Sequence, residues 1–134
     1  MLVQGECNCG IVSFEIKVAM SDVYICHCSI CRRSTGGSGI AVGIVSKDDF
    51  NWVRGKESIR VWSKSNHDWQ TSFCLTCGSP VPGENDDRNM YVPVSLLTTG
   101  ASDLKVAHHL FVGSKASWEE IGDSGKQHIE GYSE

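Results

Sequence analysis

A chain of 134 residues, 40% hydrophobic with four Trp and four Phe, has the length of one domain and enough apolar side chains to bury a core. Its formal charge of −4, from 12 basic and 16 acidic side chains, disfavours a DNA or RNA partner. The start, MLVQGECNCG, lacks the basic patch and apolar run of a secretory signal, and nothing approaches the ~20 apolar residues of a membrane span, so a cytoplasmic chain with reduced thiols is expected.

Along the chain the hydrophobic period is mostly two. Residues 2–6 are expected to pair, across a turn at 8–10, with the run in which Val12, Phe14, Ile16 and Val18 alternate with Ser13, Glu15 and Lys17. Further strands are expected at 23–26, 40–45, 58–62, 70–74, 90–94 and 106–112, separated by Gly, Asn, Asp and Pro clusters. Helical pattern is scarce: turns at 29–34, at 47–52 with Ser46 as N-cap, and at 118–121. The expected fold is mainly β, built from several short antiparallel sheets with few short helices, and the sequence shows no linker, repeat or low-complexity block.

The cysteines carry the chemistry. Seven of them fall in three clusters, Cys7-Asn8-Cys9, Cys26-His27-Cys28-Ser29-Ile30-Cys31 and Cys74-Leu75-Thr76-Cys77. The count is odd, and Cys7 with Cys9 or Cys26 with Cys28 are too close in sequence for an unstrained disulfide. Residues i and i+2 of an extended segment face one side, so CxC aims two sulfurs at one ion; CxxC does so around a knuckle, as with Cys74, Cys77 and the following Gly78. Two such pairs make a closed four-thiolate zinc site, a staple with no room for substrate. Three remaining sulfurs leave a fourth position open, which is how catalytic zinc differs from structural zinc. Spacing leaves open whether Cys7 and Cys9 join Cys74 and Cys77 or two of the middle three; four plus three is the natural split of seven. Two Zn²⁺ ions and seven thiolates would take the net charge from −4 to about −7, still further from a nucleic-acid surface.

GECNCG near the start, CHCSICRRSTG in the middle, FCLTCGS at Phe73 to Ser79 and HHLFVGSKASWEEI near the end resemble the successive motifs of the glutathione-dependent formaldehyde-activating enzyme family, whose domain is shared with centromere protein V. The resemblance spans about residues 3–122 and retains the order and relative spacing of all three cysteine clusters. It implies a single zinc-bearing domain of complex, mostly β architecture over residues 1–134. It assigns Cys7, Cys9, Cys74 and Cys77 to a structural zinc and Cys26, Cys28 and Cys31 to a catalytic zinc. The implied activity is that of a carbon–sulfur lyase acting on a small thiol, with glutathione the candidate, and a small aldehyde to make or break an adduct such as S-hydroxymethylglutathione. The alternative class is a non-catalytic zinc-binding module with a protein partner. A cluster of three thiolates without a fourth argues for the enzyme.

Arg32 and Arg33 follow Cys31 where a guanidinium can clamp a substrate carboxylate, and Arg32 is counted with the three cysteines as a candidate catalytic residue; the plain alternative is solvated charge at a helix end. His27, between two ligands, is expected to point away from their metal and to hydrogen-bond behind it. His108 and His109 face opposite sides of a strand and read as ordinary strand residues. The stretch 34–39, STGGSG, lacks the GK[ST] ending of a phosphate loop and reads as a flexible lip beside the second zinc. The four dispersed tryptophans read as core, and Asn85, Asp86 and Asp87 as a polar turn. The tail GDSGKQHIEGYSE departs from the family's usual pattern, and the stretch VSLLTTGASDL after Pro93 is unremarkable.

Overall fold

A computed structural model describes residues 2–133. Its strands in chain order are β1 Val3–Glu6, β2 Ser13–Ile16, β3 Asp22–Cys26, β4 Ile40–Ser46, β5 Phe50–Arg54, β6 Ile59–Ser63, β7 Gln70–Cys74, β8 Gly83–Glu84, β9 Asn89–Pro93, β10 Leu97–Thr99, β11 Lys105–Leu110 and β12 Lys126–Gln127. Among the described residues a single α-helix, α1 Ser29–Thr35, follows β3, and short 3₁₀ turns fill several joints. None of these helices is long and apolar enough to cross a membrane.

Three sheets result, in the orders β10-β1-β2-β5, β12-β11-β3-β4-β9-β8 and β6-β7. The first hairpin forms as the alternating pattern requires, with Gly5 opposite Phe14 and Val3 opposite Ile16. This register turns Val3, Phe14 and Ile16 onto a core completed by Met20 from the loop before β3 and by Val45, Met90 and Val92 from the six-stranded sheet. A second apolar cluster holds Cys7, Val12, Cys74 and Val81, so two of the cysteines are also core residues.

The six-stranded sheet is mixed. Most of its pairs are antiparallel, but β11 runs parallel to β3, with His109 opposite Ile25 and Leu110 opposite Cys26, and parallel to β12. Such pairing needs a long crossover, and its register cannot be read from a local turn.

Several local expectations change. The helical turn expected at 47–52 is a 3₁₀ turn over Lys47–Asp49, with Ser46 Oγ accepting from Asp48 N–H as its cap. It gives way to β5 because Phe50 stacks on Phe14 and Trp52 meets both rings edge-on, so aromatic packing overrides the helical pattern. The turn at 118–121 is not helical; the 3₁₀ turn lies earlier, at Val112–Ser114. Of the tryptophans only Trp52 packs against the core, while Trp62 is 54% and Trp118 70% exposed. The stretch after Pro93 supplies β10, which pairs with β1, and the tail supplies β12.

Candidate metal centre

The hairpin tip between β1 and β2 carries the first pair of cysteines. Cys7 N–H donates to Val12 O at 3.0 Å and Gly10 N–H to Cys7 O at 3.0 Å, which folds the tip so that Cys7 Sγ and Cys9 Sγ lie 3.6 Å apart. The second pair sits where β7 ends in a knuckle: Gly78 N–H donates to Cys74 O at 2.8 Å and Cys74 N–H to Ser79 O at 3.0 Å. Cys9 Sγ approaches Cys74 Sγ to 3.8 Å, across 65 positions of sequence. All four sulfurs lie within 4.8 Å of one another, and all seven cysteines are free thiols. A zinc–sulfur bond of about 2.3 Å in a tetrahedron separates sulfurs by about 3.8 Å, so this set fits Zn²⁺ and is too open for disulfides. Val12 N–H donates to Cys7 Sγ at 3.3 Å, and the Ser79 hydroxyl, 3.2 Å from Cys77 Sγ, is the main reason the Cys77 thiol is pulled down to about 5.

The other three cysteines gather at the junction of β3 and α1. Cys26 ends the strand; Cys28, in extended conformation, is the N-cap of the helix, where its Sγ accepts from Cys31 N–H at 3.3 Å; and Cys31 follows in the first turn. Their sulfurs also lie within 4.8 Å of one another, and among the described residues no fourth His, Cys, Asp or Glu joins them. The hydrogen bond between the Cys31 and Cys26 sulfurs pulls Cys26 down to about 6 and pushes Cys31 up, so one thiolate shares its neighbour's proton, the proton a metal ion displaces. The fold thus brings together the four-plus-three grouping.

The helix ends at Gly36, whose N–H donates to Arg32 O at 2.8 Å in a left-handed cap. The chain then passes so close to β3 that a Cβ on Gly39 would run into the Cys26 carbonyl. This lip, residues 34–39, with Ile40 and Ala41, walls a cleft of about 790 Å³ whose far side includes Cys7, Ser79 and Thr98. The three open-set cysteines do not line it. They are brought to its edge by Ile40, the strand partner of Cys26, and by Thr35, whose hydroxyl donates to Cys31 O at 3.3 Å. Hydroxyl groups of Ser34, Thr35, Ser38, Ser79, Ser95 and Thr98 dominate its polar lining, and its charged side chain, Glu6, is paired with Arg54 at 3.3 Å.

Neither arginine reaches this cleft. Arg32 Nε donates to His27 O at 3.4 Å and so braces the cysteine loop, while Arg33 faces a separate cavity of about 230 Å³ with Trp62, Lys64 and Trp69.

His27 points away from the sulfurs, as expected, and is fully buried. Its Nε2 meets His109 Nδ1 at 2.8 Å, and His109 Nε2 meets Asp123 Oδ1 at 2.8 Å. The carboxylate can only accept, so His109 carries its proton on Nε2 and His27 donates through its own Nε2. His27 Nδ1 lies 3.4 Å from Glu119 Oε1, within ion-pairing reach but off line for a hydrogen bond. Burial holds His27 below the ordinary imidazole value, and the His109 hydrogen bond holds Asp123 below the ordinary carboxylate value. The reading of His109 as an ordinary strand residue is therefore corrected: it is 2% exposed and bonded at both nitrogens. His108, on the opposite face, stacks on Tyr24 and bonds His128 at 3.0 Å. The period of two signalled that His108 and His109 diverge; no local signal indicated that the tail carries Asp123 to His109.

Comparison with known proteins finds relatives of this chain. A Halomonas elongata protein, provisionally named as a glutathione-dependent formaldehyde-activating enzyme, is 34% identical over 85 residues, which cover 59% of this chain and 54% of that one. The chain thus spans about half the length of the curated relative it matches. A crystal structure of a Rhodobacter sphaeroides protein superposes with a TM-score of 0.57 at 26% identity, covering 69% of this chain and 85% of the other. The sequence model of the glutathione-dependent formaldehyde-activating enzyme family matches residues 2–114, a stretch that contains all seven cysteines, and the chain belongs to that family.

Proposed function

We propose that the chain is a single-domain, zinc-dependent carbon–sulfur lyase that makes or breaks the adduct of a small thiol and a small aldehyde, with glutathione and formaldehyde as the pair the family name implies. The observation that carries this reading is the three-sulfur cluster of Cys26, Cys28 and Cys31, with no fourth protein ligand among the described residues, at the edge of a large cleft. In this reading Cys7, Cys9, Cys74 and Cys77 hold a structural zinc. Zinc at the other three would supply an open coordination position, one that lowers the pKa of an entering thiol.

The chain's own residues define what enters. The cleft, of about 790 Å³, has room for a molecule of peptide-like size, and its hydroxyls offer donors and acceptors to amide groups. Glu6, its charged lining side chain, is already paired with Arg54, so recognition in the cleft rests on the hydroxyl groups. Adding the thiol S–H across C=O forms one C–S bond, and the carbonyl oxygen takes up the proton, so no oxidant or reductant is needed.

The test is the rate of hydroxymethyl-adduct formation and breakdown, followed by NMR exchange, for wild type and Cys28→Ser with glutathione, cysteine and other small thiols. Wild type should exceed the spontaneous rate and Cys28→Ser should not. A wild-type protein that leaves the spontaneous rate unchanged with every thiol overturns the lyase and leaves the binding-module reading.

A further inference from the structure

Two buried imidazoles, His27 and His109, stand behind the open cysteine cluster, with Glu119 and the exposed carboxylate of Asp123 beside them, and the chemistry above uses none of these groups. Taking imidazoles out of water is costly, and apolar side chains would fill the space at least as stably. What the polar set provides instead is direction. His27 stands between Cys26 and Cys28, and three of its polar groups are engaged: its N–H donates to Leu110 O at 2.9 Å, its carbonyl accepts from Arg32 Nε at 3.4 Å, and Nε2 is held by His109 at 2.8 Å. Rotating this residue would swing both neighbouring sulfurs.

We propose that Asp123, acting through His109 and His27, is a positioning residue for the metal site of Cys26, Cys28 and Cys31. The inference rests on the reading that this cluster holds zinc. Asp123 comes from the segment beyond residue 114, outside the stretch that the family model matches. That segment is itself tied down: His128 N–H donates to His109 O at 2.8 Å, Gly125 N–H to Asp123 Oδ1 at 2.8 Å, and Lys115 Nζ to Glu119 O at 2.7 Å. A Cβ on Gly125 would stand 2.9 Å from Asp123 Oδ1 and 3.1 Å from His109 Cδ2, so the tail is closely fitted over the histidine it orients. A site with three protein ligands has the fewest bonds to hold its metal and gains most from ligands fixed in advance.

Equilibrium competition between the zinc-loaded protein and a chromophoric chelator, with no thiol or aldehyde present, reads the affinity of each site in wild type, Asp123→Leu and Asp123→Asn. The weaker site should lose about 10–100-fold in affinity in Asp123→Leu, the usual scale for removing a partner behind a ligand. Asp123→Asn retains an acceptor for His109 Nε2–H and should recover part of that loss, and the tighter site should be unchanged throughout. An unchanged weak site in both variants overturns the proposal, as does an equal loss at both sites. If Asp123→Leu does not fold, Asp123→Asn decides on the same criterion. A wild type that holds no weaker zinc refutes the zinc reading itself, whereas a wild type with two sites that ignore the variants refutes only the positioning role.

Discussion

Removing one ligand from each cysteine set should cost unequal amounts of stability, because the two sets close very different lengths of chain. Cys9 and Cys74 are 65 positions apart, and a metal joining them constrains the unfolded chain as a cross-link would. For a loop of about 65 residues the chain-entropy expression gives about 4 kcal/mol; for the short loop from Cys26 to Cys31 it gives about 2 kcal/mol. Cys77→Ser, which breaks the knuckle's grip on the hairpin tip, should therefore destabilise the fold by about 2 kcal/mol more than Cys28→Ser, or roughly 8 °C in melting temperature for a chain of this size. The closed set also lies in an apolar cluster with Val12 and Val81, so its disruption loosens packing as well, which makes the difference a lower bound. The assay is urea and thermal unfolding at matched free zinc, with metal counted by elemental analysis: wild type two per chain, and each variant one. Equal losses of stability, or a larger loss for Cys28→Ser, would refute the assignment of a staple to Cys7, Cys9, Cys74 and Cys77.

Gly39→Ala places a methyl group against the Cys26 carbonyl and should cost roughly 1–3 kcal/mol by overpacking while loosening the weaker zinc first; a variant of wild-type stability and metal affinity would show that the lip moves freely. Burial keeps His27 neutral in the fold, whereas the unfolded chain protonates it near about 6.5, so the unfolded state binds more protons below that pH and stability should fall as pH drops from about 7. Urea midpoints at pH 8 and pH 6 test this, and an identical slope in His27→Gln would assign the loss to reprotonated thiolates instead.

The clearest sequence signals were local and chemical. CxC at a turn and CxxC before Gly78 each aim two sulfurs at one ion, which makes four plus three the natural split of seven cysteines; spacing leaves open which pairs join, the family resemblance implies it, and the fold makes that grouping. The alternation through Val12, Phe14 and Ile16 likewise settled the first hairpin, since a shift of one residue would have turned Phe14 to solvent. The order of motifs then identified the family. What tertiary structure alone decided depends on contacts remote in sequence. Phe50 and Trp52 join a strand because Phe14 is there to receive them, against a local helical pattern. The parallel pairing of β11 with β3 is set by no turn, yet it is what lays His109 against His27. The tail looked uninformative because an Asp among Gly and Ser has no periodic or motif signal; it acquires a role only when the fold carries Asp123 to a buried imidazole 14 positions away. Arg32, adjacent to a ligand in sequence, is turned by the helix toward a backbone carbonyl rather than the cleft, since neighbours along a helix face different directions.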